Sequence, residues 1–164
     1  MEPRRARLLQ EGLYAGVIGY MTVALATGLV DLLRGHSYFH TAAVLGSALF
    51  GAGAEVAVTP EIVFPYNGVH LLVFLALGFL LAFLVYEIEL HAMLWYFVFF
   101  GLLGLFFVSL FLVVALGETG GSGVPWALVV GMNTLAALAM GWYLHRRHRD
   151  LWRSMRDETD PEEM

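Results

Sequence analysis

The sequence predicts an all-α fold: an integral membrane four-helix bundle, with a short interfacial or re-entrant helix between spans one and two. Three observations predict it. First, 59% of the 164 residues are hydrophobic and only 14% are charged, whereas soluble domains carry about a quarter charged residues. Second, the apolar residues gather into windows long enough to cross a bilayer. Third, eight of the nine basic residues lie near the two ends of the chain.

Membrane-crossing helices need about 20 largely apolar residues, and four windows meet that length. They lie at about 12–33, 67–88, 92–117 and 125–144. We expect them to form a single transmembrane domain over residues 1–157, followed by a disordered acidic tail at 158–164.

The segment "TAAVLGSALFGAGA", about 41–54, is apolar but has only 14 residues. As a helix it would be about 21 Å long, which is too short to cross comfortably. It is rich in small residues that allow close packing. We therefore expect a helix that lies in the interface, or that enters and leaves the membrane on one side.

Arginine distribution predicts the orientation. With four spans both termini share a side, and the positive-inside rule places that side in the cytoplasm. The protein is thus expected to be a multi-pass protein of the cell inner membrane. The arginines near the termini are Arg4, Arg5, Arg7, Arg146, Arg147, Arg149, Arg153 and Arg156. Four of them, Arg146, Arg147, Arg149 and Arg153, are expected to meet anionic lipid headgroups at the inner surface.

Glycines within the spans predict where helices approach closely, because small residues let membrane helices pack backbone to backbone. The predicted packing positions are Gly16, Gly19, Gly101, Gly104, Gly131 and Gly141.

His70 is an ionisable residue near the start of the second span. Pro65 and Asn67 resemble a helix start, with Asn67 as the N-cap, which would place His70 in the first turn. Tyr66 lies four residues earlier on the same face. We expect the His70 ring to face the protein interior or the outer loop, since bare lipid would leave its nitrogens unpaired.

Two further histidines, His36 and His40, lie four apart in the connection after span one. On a helix that spacing places both rings on one side, as metal pairs require. With His70, and with the carboxylates Asp31, Glu55 and Glu61 close in sequence, they form a candidate outer-face site for a transition metal or haem. The alternative is an ordinary polar loop with an interfacial histidine.

Several functional classes are disfavoured. The chain has no cysteine, and it lacks a P-loop, a Rossmann glycine fingerprint, an HExxH motif and a serine-nucleophile elbow. Enzyme chemistry is therefore not expected, and neither is nucleic-acid binding. No ionisable residue falls at mid-membrane, which argues against a proton pump or an ion-coupled carrier.

Three stretches, "YNGVHLLVFLALG", "TAAVLGSALF" and "NTLAALAMGWYLHRRH", cover about a quarter of the chain. In them the chain resembles a group of uncharacterised bacterial four-span membrane proteins. The resemblance implies a four-helix membrane fold and no particular activity.

The first functional hypothesis is a structural or accessory subunit that self-associates or joins a larger membrane complex. The second is a metal- or haem-binding redox protein that uses His36, His40 and His70. The third is a small-solute channel or carrier. Apart from the lipid bilayer, the sequence does not identify a partner.

Overall fold

The computed structural model describes residues 3–50, 58–90 and 125–148. Within these ranges the chain forms four helices and no strand. They are α1 (Pro3–Leu33), α2 (His40–Phe50), α3 (Pro60–Leu90) and α4 (Trp126–Arg147). The described residues are therefore all-α, as predicted.

Three of the described helices contain segments long and apolar enough to cross a membrane: Ala6–Leu33, Pro60–Glu87 and Ala127–Arg147. They correspond to the first, second and fourth predicted spans. The third predicted span, at about 92–117, and the acidic tail lie outside the described residues.

The start of α3 differs from the prediction. The helix begins at Pro60, and the Thr59 carbonyl accepts hydrogen bonds from the backbone N–H groups of Ile62 and Val63. Proline is well suited to the first position of a helix because its missing N–H needs no partner there. Pro65 instead lies inside α3. The predictions that Asn67 caps this helix and that His70 occupies its first turn are therefore wrong.

The helix α2 has 11 residues and is about 16 Å long, so it is too short to cross a membrane, as predicted for this segment. It packs against the first turns of α3. A Cβ placed on Gly46 would lie 2.8 Å from Cγ2 of Ile62 and 3.2 Å from Cβ of Tyr66. The last predicted residues of this helix, 51–54, lie outside the described residues.

Helices α1 and α3 are antiparallel, and their contact is the most extensive between any two described helices. Gly12 lies against Phe79 and Gly16 lies against Leu75. The residue numbers of the contacts therefore decrease along α3 as they increase along α1, which shows that the two helices run in opposite directions.

Helix α4 is also antiparallel to α1. Glu11 contacts His148, and Gly19 lies against Met140. Since α3 and α4 both oppose α1, they run in the same direction. The C-terminal end of α3 and the N-terminal end of α4 thus lie at opposite ends of the bundle.

Glycines bring the backbones of α1 and α3 together. A Cβ on Gly78 would overlap the Gly12 carbonyl oxygen and the Gly16 nitrogen. A Cβ on Gly16 would lie 2.7 Å from the Leu75 Cα, and one on Gly19 would lie 2.7 Å from Cδ1 of Phe74. Gly16 and Gly19 were predicted packing positions, whereas Gly12 and Gly78 were not recognised from the sequence.

The other predicted packing glycines differ from these. A Cβ on Gly131 or Gly141 would meet no atom of the described residues within 4 Å, and both glycines are exposed. Gly101 and Gly104 lie outside the described residues.

We predict opposite outcomes for two Gly→Ala substitutions in α3. Gly78→Ala should lower the free energy of unfolding by about 1–3 kcal/mol, because the added methyl group overlaps the α1 backbone. Gly68→Ala should leave stability unchanged or raise it by up to about 1 kcal/mol, because alanine favours a helix and no described atom lies within 4 Å of its Cβ. Thermal unfolding of the purified protein in detergent, followed by circular dichroism, measures both. Equal effects at the two positions would contradict the close contact.

Candidate functional site

A cavity of about 530 Å³ lies among all four described helices. It is at the end of the bundle where α1 ends and where α3 and α4 begin. Its lining is mainly apolar, for example Ala24 of α1, Leu45 of α2, Val63 of α3 and Met132 of α4. None of the described residues that line it carries a carboxylate or a guanidinium group. Its volume falls in the range of about 300–1,000 Å³ that is usual for small-molecule sites.

One wall of the cavity carries a chain of hydrogen bonds. The Tyr20 hydroxyl donates to Oδ1 of Asn67 at 3.1 Å, and Nδ2 of Asn67 donates to the Val63 carbonyl at 2.8 Å. Asn67 thus joins α1 to α3 rather than capping a helix. Because both of its polar atoms have protein partners, its main role is to hold the two helices in register.

His70 lies beside this wall within a group of aromatic rings. Its ring stacks on Tyr66, with centroids 5.5 Å apart and planes 21° apart. It meets Phe74 edge-on at 5.1 Å and Tyr20 at 6.3 Å. The ring therefore faces the protein interior and contacts Tyr66, as the sequence analysis expected.

Two polar side chains in this aromatic cluster line the cavity. Neither the ring nitrogens of His70 nor the Tyr66 hydroxyl has a hydrogen-bond partner among the described residues, and both side chains line the cavity. A neutral imidazole offers one donor and one acceptor, and a phenol offers both roles in a single oxygen. The cavity is therefore mainly apolar, with hydrogen-bonding groups at His70 and Tyr66 and the hydroxyls of Thr27 and Thr59 also in its lining.

His36 and His40 come together at the start of α2, but as a stacked pair. Their ring centroids are 4.2 Å apart and their planes differ by 16°. Among the described residues, no three His, Asp or Glu side chains group closely enough to hold a metal ion. The metal or haem site built from His36, His40 and His70 stays a prediction that these contacts do not support.

Asp31 has a structural role that the sequence analysis did not anticipate. Its side chain is buried, with only 2% of the residue exposed. It accepts hydrogen bonds from the Thr41 N–H at 2.8 Å and from the Thr41 hydroxyl at 2.7 Å. Thr41 is in the first turn of α2, where N–H groups have no partner within the helix and negative charge is favoured.

A turn at Gly35 makes this contact possible. Gly35 has a φ of 79°, in the left-handed region that glycine adopts without steric cost. The His36 N–H also donates to the Asp31 carbonyl at 2.9 Å. The turn reverses the chain and carries the start of α2 back to the last turn of α1.

A second buried polar contact lies at the opposite end of the bundle. Nε2 of His148 is 2.9 Å from Oε2 of Glu11, and each side chain is only 9% exposed. The Tyr86 ring meets the His148 ring edge-on, with centroids 5.5 Å apart. This contact ties the ends of α1, α3 and α4 together. Sequence reasoning gave Glu11 no role, and the signal available was an acidic residue that adjoins an apolar window.

Two of the arginines predicted for the membrane surface are described, and both are exposed in the last turn of α4. The Arg146 guanidinium lies 4.0 Å from the centroid of the Trp142 ring, and that of Arg147 lies 5.9 Å from the Tyr143 centroid. Cations in a last turn also complement the helix dipole. Arg149 and Arg153 lie outside the described residues.

Within the described residues, the protein is helical, with three apolar helices of membrane-spanning length and a mainly apolar cavity whose lining carries no carboxylate or guanidinium group. Comparison of the chain with known protein families, with curated proteins and with solved structures finds no match. The resemblance to bacterial four-span proteins therefore stays a prediction.

The contact between Asp31 and Thr41 generates a stability prediction. Asp31→Ala removes the acceptor of two buried hydrogen bonds and leaves the Thr41 N–H unpaired, which costs about 1–3 kcal/mol for each buried group without a partner. We expect a clearly lower thermal midpoint in detergent. The matched control is Glu61→Ala, which removes an exposed carboxylate and should change the midpoint little. A similar loss in both variants would contradict the capping role.

Proposed function

We propose that the protein is a multi-pass protein of a bacterial inner membrane that crosses the bilayer four times. Both termini lie in the cytoplasm, and the protein acts as a structural or accessory subunit that self-associates or joins a larger membrane complex. The observation that carries the topology is the shared direction of α3 and α4 on α1.

That shared direction supports an even number of crossings. Because α3 ends and α4 begins at opposite ends of the bundle, the chain has to pass from one end to the other between Leu90 and Trp126. The apolar window predicted to be the third span, at about 92–117, lies in this part of the sequence. This supports the proposal of four crossings, with both termini on one side.

Exposed apolar surface supports the membrane location. Large apolar side chains lie exposed at every fourth residue of α1, a spacing that forms a continuous stripe winding gradually round the helix, because each step of four residues turns about 40° beyond one full turn. These residues are Leu13, Val17, Met21, Leu25, Leu29 and Leu33. A stripe of this size in water would be an aggregation liability, whereas lipid tails solvate it.

The arginine distribution supports the orientation. The start of α1 and the end of α4 lie at the same end of the bundle, where Glu11 contacts His148. Arg7, Arg146 and Arg147 belong to these helix ends, and the positive-inside rule favours a cytoplasmic location for that end.

The outer face of α4 supports the subunit role. Unlike the stripe on α1, it combines glycines with large apolar residues: Gly131 and Gly141 are exposed beside Leu138 and Trp142. Glycine on an exposed membrane face is typical of close contact with another helix. We assign this face to contact with a neighbouring polypeptide in the assembled complex.

The assembly is tested by measuring the mass of the affinity-purified protein, extracted from its own membrane in mild detergent, by native mass spectrometry. We expect a mass above that of one 18.2 kDa chain. The double variant Gly131→Leu/Gly141→Leu should lose most of the assembled fraction while keeping its helix content. The control, Val17→Leu, enlarges an exposed apolar side chain of the α1 stripe and should keep the assembly. A single chain without a bound protein in the unmodified sample would contradict the subunit role.

A further inference from the structure

We infer that the cavity among the four described helices binds a neutral, lipid-soluble molecule whose carbonyl or hydroxyl head is recognised by His70 and Tyr66. This inference does not depend on the proposed subunit role, because the cavity lies within one chain. Two properties of the lining support it: the absence of charged side chains among the described lining residues, and the distribution of the polar groups.

The absence of charged side chains among the described lining residues favours a neutral ligand. The described lining contains no carboxylate and no guanidinium group. An anionic phospholipid headgroup or a cationic amine placed there would lose its hydration without gaining an opposite charge, which disfavours its binding. An uncharged head avoids this cost.

The distribution of polar groups in the cavity lining favours an amphipathic ligand. Most polar side chains in the lining are bonded within the protein: Tyr20 to Asn67, and Tyr38 to the Ala24 carbonyl. His70 and Tyr66 are stacked side by side and keep their hydrogen-bonding atoms without partners among the described residues. A carbonyl or hydroxyl head fits these atoms, and an apolar body fits the rest of the cavity.

A molecule that reaches the cavity through the bilayer with its own carbonyl or hydroxyl group can pair with the hydrogen-bonding atoms of both His70 and Tyr66.

The test uses delipidated, purified full-length protein and three probes. Decylubiquinone supplies a carbonyl head on an apolar body, 1,2-dioctanoylglycerol supplies a hydroxyl head, and dioctanoyl phosphatidylglycerol supplies an anionic head. Native mass spectrometry and titration of the thermal midpoint report stoichiometry and affinity. We expect one saturable site per chain for at least one neutral probe, with at least tenfold weaker binding of the anionic probe.

Variants test the recognition of the head. His70→Phe keeps an aromatic ring but removes both nitrogens, and Tyr66→Phe removes one hydroxyl. Each should weaken binding of the neutral probe by about five- to tenfold, the value of one hydrogen bond. His36→Phe is the control, because His36 is exposed and does not line the cavity; it should leave the affinity unchanged.

A further variant tests whether the ligand occupies the apolar part of the cavity. Ala24→Phe adds volume to the apolar lining and should abolish binding while the protein stays folded. Three results would overturn the inference: no saturable binding of either neutral probe, equal binding of the anionic probe, or unchanged affinity in both His70→Phe and Tyr66→Phe. The last result would reduce the site to a non-selective apolar space.

Discussion

The close backbone contact between α1 and α3 is the constraint on which the rest of the structure depends. Gly12 and Gly16 face Gly78 with no side chain between them. In a bilayer the hydrophobic effect does not drive helices together, so van der Waals contact and interhelical hydrogen bonds have to do so. The register set by these glycines brings Tyr20 next to Asn67. It also fixes where the two helices can line a common cavity.

Polar contacts at the two ends of the bundle reinforce this arrangement in different ways. Asp31 caps α2 and holds it across the end of α1, which closes one side of the cavity. Glu11 and His148 join the far ends of α1 and α4. Buried polar groups are costly unless they are paired, so each contact favours one helix arrangement over alternatives that would leave its members alone. Between these ends the contacts are mainly apolar.

The helices were predictable from the sequence because each is a local property of composition and length. The contacts between the helices were harder to predict from the sequence. Asp31 and Thr41 are ten residues apart, and only the left-handed turn at Gly35 brings them together. Glu11 and His148 are 137 residues apart, and no local pattern connects them.

The start of α3 and the cavity were likewise not predictable from the local sequence. Pro60 and Pro65 are both compatible with a helix start, and the predicted start at Pro65 was wrong. A start at Pro65 would place His70 at the end of the helix, whereas it lies within α3 among aromatic rings. The pairing of His70 with Tyr66 was predictable from their four-residue spacing. The cavity was not, because it arises where four helices meet.

Side-specific labelling of single cysteines tests the central claim, that α3 and α4 cross in the same direction, most directly. The chain has no cysteine, so Ser37→Cys, Ser122→Cys and Ser154→Cys each introduce a single target. With a membrane-impermeant maleimide, the account predicts that the first two label in intact cells and that Ser154→Cys labels only in inside-out vesicles. Labelling of Ser37→Cys and Ser122→Cys from opposite sides would place an odd number of crossings between them and contradict the account.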